Sequence, residues 1–247
     1  MHVYLISLEP DTATWPAESL LSVDERARAQ TLKNRSARVQ WIYGRAVLRI
    51  LLGRHFQRMP SQFTFRYGDF GKPYCKELRG TLAFNLSHTR SMLALAIGRA
   101  ESIGIDVERL DRPLVAPPFW KKVLHPLEQA YVGTSIRRFL EAWVHKEAVM
   151  KADGRGCRMG ASLIQLGFSS DSPRLLGLPP PYQRDHWSTW CGVVQGHIWA
   201  LATFSVDRAA HTAPRIHKFT SRTIFELYKH RNFGIEKHGV GGTAVHG

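Results

Sequence analysis

The first run of the chain, HVYLISL (2–8), is β-prone and largely apolar, which predicts an opening strand. The pattern then changes period. Ser22 and Glu25 stand three residues apart, the spacing of a capping box, so a helix is predicted from there to about Lys33. A second helix is predicted over about 36–56, where Val39, Ile42, Tyr43, Ala46, Ile50 and Leu51 fall on one face. FTFRY (63–67) reads as a strand and GDFGKP (68–73) as a turn. Three short β-prone runs follow at 81–87, 92–98 and 103–108, and brief breaks between them suggest that they pair.

The three prolines within 111–118 mark a linker or crossover. Beyond it, 125–132 and 135–154 have helical spacing, the second ended by Gly154 and Gly156. Strands are expected at 162–168, 187–194 and 197–205, with a proline-broken loop over 173–181. Strand, helices and strands thus occur twice, which predicts an α/β chain of two similar halves, 1–110 and 111–207. From 208 to 247 no period is sustained, and a poorly ordered basic tail is expected. Its His230, His238 and His246 are too loosely spaced for a metal site.

Composition narrows the classes. The net charge is +14, of which the tail carries +5, so anionic partners are expected. Nucleic acid is one such partner, but no helix-turn-helix, RNP-type strand or zinc spacing is present. Cys75, Cys157 and Cys191 are scattered, which argues against a disulfide framework and for a reducing compartment. The start lacks a basic n-region and reads as a strand rather than a signal peptide. No apolar run approaches the ~18–20 residues that span a bilayer, so a cytoplasmic protein without a membrane partner is expected.

Four short blocks carry candidate chemistry. In Ile103-Gly-Ile-Asp-Val-Glu108, strand alternation puts Asp106 and Glu108 on one face and Ile105 and Val107 on the other. Adjacent carboxylates repel, and a hard cation such as Mg²⁺ relieves this; otherwise they simply face water at a strand end. In the run Trp143 to Lys151, the spacing i, i+4, i+8 lines up Trp143, Glu147 and Lys151 on one helical stripe. If that stripe faces the Asp106/Glu108 strand, three carboxylates and an ammonium converge. Ser87-His88 lies at a strand end with donors expected to point outward, suited to phosphate oxygens. A serine hydrolase is disfavoured, because adjacent strand residues diverge and no G-x-S-x-G elbow occurs. Lys72 in Gly71-Lys-Pro73 adds a basic residue on a rigid turn.

Taken in order, Gly71-Lys-Pro73, Phe84-Asn-Leu-Ser-His88, Ile103–Glu108 and Trp143–Lys151 resemble the motifs of the Sfp-like 4′-phosphopantetheinyl transferases, over about residues 20–205. The resemblance implies a pseudo-dimer of two α/β halves with coenzyme A in the cleft between them. It implies Mg²⁺ ligation by Asp106, Glu108 and Glu147, with Glu147 as general base. Lys151 and His88 would contact coenzyme A phosphates, assisted by Lys72, Ser87 and Arg45, and Glu128 stands where some members have another acid. The implied reaction moves the phosphopantetheine arm of coenzyme A to a serine of an acidic acyl or peptidyl carrier protein, releasing 3′,5′-ADP. A single chain would suffice, so a monomer is expected. The rival reading is a non-catalytic coenzyme A or carrier-binding module. Val107 excludes a side-chain ligand between the two acids, and the basic tail has no counterpart in the resemblance.

Overall fold

The computed structural model describes residues 1–8, 16–113, 117–169, 172–207 and 211–229. In chain order the elements are β1 (His2–Ser7), α1 (Val23–Gln30), α2 (Arg35–Phe56), β2 (Phe65–Tyr67), β3 (Pro73–Cys75), β4 (Ala83–His88), β5 (Met92–Gly98) and β6 (Ser102–Arg109). There follow α3 (Pro117–Val123), α4 (Pro126–Val132), α5 (Ile136–Asp153), β7 (Gln165–Ser169), β8 (Ser172–Gly177), β9 (Trp187–Val194), β10 (His197–Phe204), β11 (Arg215–Thr220) and α6 (Ser221–Lys229). The capping box forms as read: Ser22 N–H donates to Glu25, and Glu25 N–H donates to Ser22 Oγ.

Two sheets, ordered β11-β1-β5-β4 and β6-β10-β9, pack face to face. Alternation along each strand supplies the layer between them: Val3 and Leu5, Met92, Ala94 and Ala96 from one sheet meet Ile103, Ile105, Val107, Trp199 and Leu201 from the other. The opposite strand faces carry the outer layers. Leu93, Leu95 and Ile97 pack on α2, while Ile198, Ala200 and Ala202 pack with Ala148 and Val149 of α5. The two sheets share a connectivity, in which a strand, a crossover helix and then an antiparallel hairpin build β1-β5-β4 and again β6-β10-β9.

Several elements depart from the expectations. Val39 is 45% exposed, because the first turns of α2 precede its buried stretch, which starts at Ile42. The expected loop 173–181 begins as a strand: β8 pairs antiparallel with β7 as a two-stranded ribbon, where Pro173 at a strand start costs no essential donor. Helix α3 starts within the proline-rich segment, of which 114–116 lie outside the described residues. Although β6 falls before residue 110, its hydrogen-bonded partner is β10.

The largest difference concerns the tail. Residues 215–220 run parallel to β1 in full register, His2 opposite Arg215 through Ser7 opposite Thr220. Helix α6 then folds onto α2 with Ile224 fully buried. The segment covers an otherwise open sheet edge, which compensates for its weak local pattern. Residues 208–210 and 230–247, with His230, His238 and His246, lie outside the described residues.

Candidate active site

The two sheets meet at their edge strands β4 and β6. These are bridged by side chains: Asn85 Oδ1 of β4 accepts the Ile105 N–H at 2.9 Å, standing in for a ladder bond. On the other face of β6, Gly104 lies against α5. A Cβ at that position would come 2.0 Å from Ala148 O and 2.3 Å from Ala152 N, so only glycine lets strand and helix approach this closely. That contact brings the Glu147–Lys151 stripe opposite Asp106 and Glu108.

Asp106 is the hub. Its Oδ1 accepts from Lys151 Nζ at 2.6 Å and from Ser87 Oγ at 2.8 Å, and Lys151 also reaches Ser87 Oγ at 2.9 Å. Ser87 is therefore buried and points inward, contrary to the outward orientation expected from its loop-edge position; strand alternation sends His88 outward instead. Asp106 Oδ2 is buried and has no hydrogen-bond partner among the described residues. Glu108 accepts from Arg112 Nη1. Burial raises the Glu108 pKa, and the neighbouring Asp106 carboxylate adds to this against the opposing Arg112. Burial likewise raises Glu147, with Asp106 and Glu108 adding repulsion and Lys151 opposing it. The His88 pKa is lowered by desolvation and by the Lys151 ammonium.

Among the described residues, no group of three or more His, Cys, Asp or Glu side chains forms a ready-made metal cage. The donor set nevertheless suits a hard divalent cation. Asp106 and Glu108 are close enough to Glu147 for their charges to raise its pKa, and Asp106 Oδ2 is a buried oxygen with no partner among the described residues.

The remaining predicted contacts stand apart from this hub. Arg45 is 5% exposed on α2: its Nε lies 3.3 Å from Glu25 Oε1, Nη2 donates to Tyr67 Oη at 3.1 Å, the guanidinium stacks over Phe65, and Nη1 has no partner among the described residues. Lys72 donates to Ser102 Oγ, Ile103 O and Ala152 O. Glu128 pairs with buried Lys146. Lys72 also lines a cavity of about 560 Å³, together with Phe70, Tyr74, Arg79, Phe84, Arg155 and Tyr182.

Comparison with known proteins agrees with the motifs. A family model described as the 4′-phosphopantetheinyl transferase superfamily matches residues 102–223. The 4′-phosphopantetheinyl transferase HetI of Nostoc sp. is 30% identical over 190 residues, 74% of this chain and 80% of its own. This chain belongs to the 4′-phosphopantetheinyl transferases. Two further members, psf-1 of Bacillus pumilus and Sfp of Bacillus subtilis, are 26% and 22% identical, over 72% and 70% of this chain and 80% and 77% of theirs. The chain is thus an enzyme of the phosphopantetheinyl transferase type, on a mixed α/β fold.

For this transferase, sequence reasoning missed four supporting residues. Asn85 and Gly104 sit inside motifs whose charged members drew attention. Arg112, four residues after Glu108, was hidden in a proline-rich segment, and Lys146 was hidden beside Glu147. The i+4 spacing to Glu108 was the available signal for Arg112. No helix of the described residues is long and apolar enough to cross a membrane.

Proposed function

We propose that this transferase moves the 4′-phosphopantetheine arm of coenzyme A onto a serine hydroxyl of an acyl or peptidyl carrier protein. The observation that carries the proposal is the Lys151–Asp106–Ser87 junction, with Glu147 and Glu108 close enough to perturb each other and Asp106 Oδ2 left without a partner among the described residues. Asp106, Glu108 and Glu147 would hold Mg²⁺, which supplies charge neutralisation on the diphosphate when bound.

The Glu147 side chain makes no hydrogen bond among the described residues, which leaves its carboxylate available to accept a proton. It accepts the serine proton. The serine oxygen then forms a bond to the β-phosphorus of coenzyme A, and the bond to the bridging oxygen breaks, so 3′,5′-ADP leaves with the electron pair. Lys151 offsets charge that develops on the phosphate oxygens, and outward-facing His88 offers a further donor. The 560 Å³ cavity lined by Lys72, with its aromatic and arginine walls, suits the nucleotide end of coenzyme A. Arg45, through Glu25 and Tyr67, and Lys72, through Ser102, Ile103 and Ala152, also brace the site.

The repeated connectivity of the two sheets supports an organisation into two α/β halves, with β6 opening the second. One chain supplies all of these residues, which supports a monomeric enzyme. The net charge of +14 suits an acidic carrier, and three free cysteines suit a reducing cytoplasm. The test is intact-mass analysis of an apo carrier protein incubated with enzyme, coenzyme A and Mg²⁺. The carrier gains the mass of one phosphopantetheine arm, and Glu147→Ala slows the gain by about 100-fold or more. Bound coenzyme A with no transfer to any carrier class would instead favour a binding module.

A further inference from the structure

The Lys72 ammonium has three N–H groups and three protein acceptors. It donates to Ser102 Oγ at 2.6 Å, Ile103 O at 2.9 Å and Ala152 O at 2.8 Å. Ser102 also donates to Ala152 O, so the same point is closed twice. Lys72 reaches it from the β2–β3 turn. Gly71, at φ +81°, lets that turn reverse, and the Gly68 N–H donates to Lys72 O at 2.9 Å. Desolvation is severe enough to push the Lys72 pKa down to about 8, although Asp153 opposes the shift.

The elements it joins are the ones that carry the reacting groups. Ser102 and Ile103 open β6, whose Asp106 lies four residues further on. Ala152 lies in the last turn of α5, directly after Lys151 and five residues after Glu147. Between clamp and site, Gly104 presses against Ala148 and Ala152. A strand and a helix held at two neighbouring points have little freedom to shift where the carboxylates face each other.

We infer that Lys72 is a positioning residue: it ties the start of β6 to the end of α5 and thereby sets the separation of Asp106 and Glu108 from Glu147 and Lys151. The inference rests on the proposed role of those four groups. It differs from the phosphate contact that the resemblance implies for Lys72.

The experiment compares wild-type enzyme with Lys72→Met and Ser102→Ala, the second withdrawing one acceptor at little steric cost. Misplacement by a fraction of an ångström predicts a kcat about 10-fold or more lower for Lys72→Met and a smaller fall for Ser102→Ala, with KM for coenzyme A within about 2-fold of wild type. Amide exchange across Ile105–Val107 rises in parallel. A raised KM at unchanged kcat overturns the inference, because it marks a direct phosphate contact. Lower thermal stability with unchanged kcat per folded molecule and unchanged exchange also overturns it. If Lys72→Met does not fold, Ser102→Ala decides by the same split between kcat and KM. If the wild-type protein proves inactive on every carrier, the functional reading fails, and exchange at 105–107 still judges the clamp by itself.

Discussion

Lys146 Nζ lies 2.9 Å from Glu128 Oε2, and neither side chain reaches solvent. The ammonium also donates to Ala161 O and Ile164 O, while the carboxylate accepts the backbone N–H groups of His125 and Leu166. The pair thus joins α4, α5 and the approach to β7. Because Lys146 immediately precedes Glu147, it also fixes the roll of α5 that turns Glu147 and Lys151 towards β6. The acid whose role was open in the sequence is a structural one.

Removing one member of this pair leaves an uncompensated buried charge. Lys146→Met and Glu128→Leu are each expected to lower stability by about 3–5 kcal/mol, and the two combined by less than the larger single change. Urea unfolding of the three variants checks this. Simple additivity would show that the pair is not coupled.

Gly104→Ala is expected to be among the most damaging small substitutions. Its methyl would sit 2.0 Å from Ala148 O, which belongs to backbone that cannot rotate away. The strand must move off α5, costing about 1–3 kcal/mol or more and most of the turnover. A variant with wild-type unfolding midpoint and rate would contradict this account of the site.

His145 provides a pH dependence. Its ring is fully buried, Nδ1 donates to Glu141 O at 2.8 Å, and Nε2 has no partner among the described residues. Burial lowers its pKa from 6.5 to about 4. The unfolded chain therefore binds the proton first as pH falls, so stability is full above about 6.5 and declines towards 4, by about 3 kcal/mol in total. Unfolding midpoints of wild type and His145→Phe, measured from pH 7 to 4, should converge as this contribution is lost.

The C-terminal segment is expected to be required for folding. A chain ending at Asp207 lacks β11 and α6, exposes the β1 edge and leaves the pocket of Ile224 empty. It should unfold at lower temperature and associate through the bared edge, as light scattering would detect. A truncated chain as stable and monodisperse as the full one would mean that the segment merely rests on the surface.

How much was legible follows from the range of each interaction. The capping box at Ser22 and Glu25 could be read because both its hydrogen bonds close within one turn. The alternation in Ile103–Glu108 could be read for the same reason, and with it the face that carries Asp106 and Glu108. The pairing of Glu25 with Arg45 and Arg49 could not, since the partners stand 20 and 24 residues on. The strand β11 was missed because its partner β1 lies more than 200 residues away, and pairing there outweighs a weak local pattern.

The sequence by itself determined which residue types carry the chemistry, their order along the chain and the family they belong to. Motif spacing is set by strand and helix periods, which are local properties. Only the tertiary structure decided what each charge faces: Lys151 meets Asp106, Lys146 meets Glu128, Arg45 meets Glu25, and Lys72 meets backbone carbonyls. Four basic residues that look alike in the sequence differ because burial makes an unpaired charge costly, so each is held where packing supplies its acceptors.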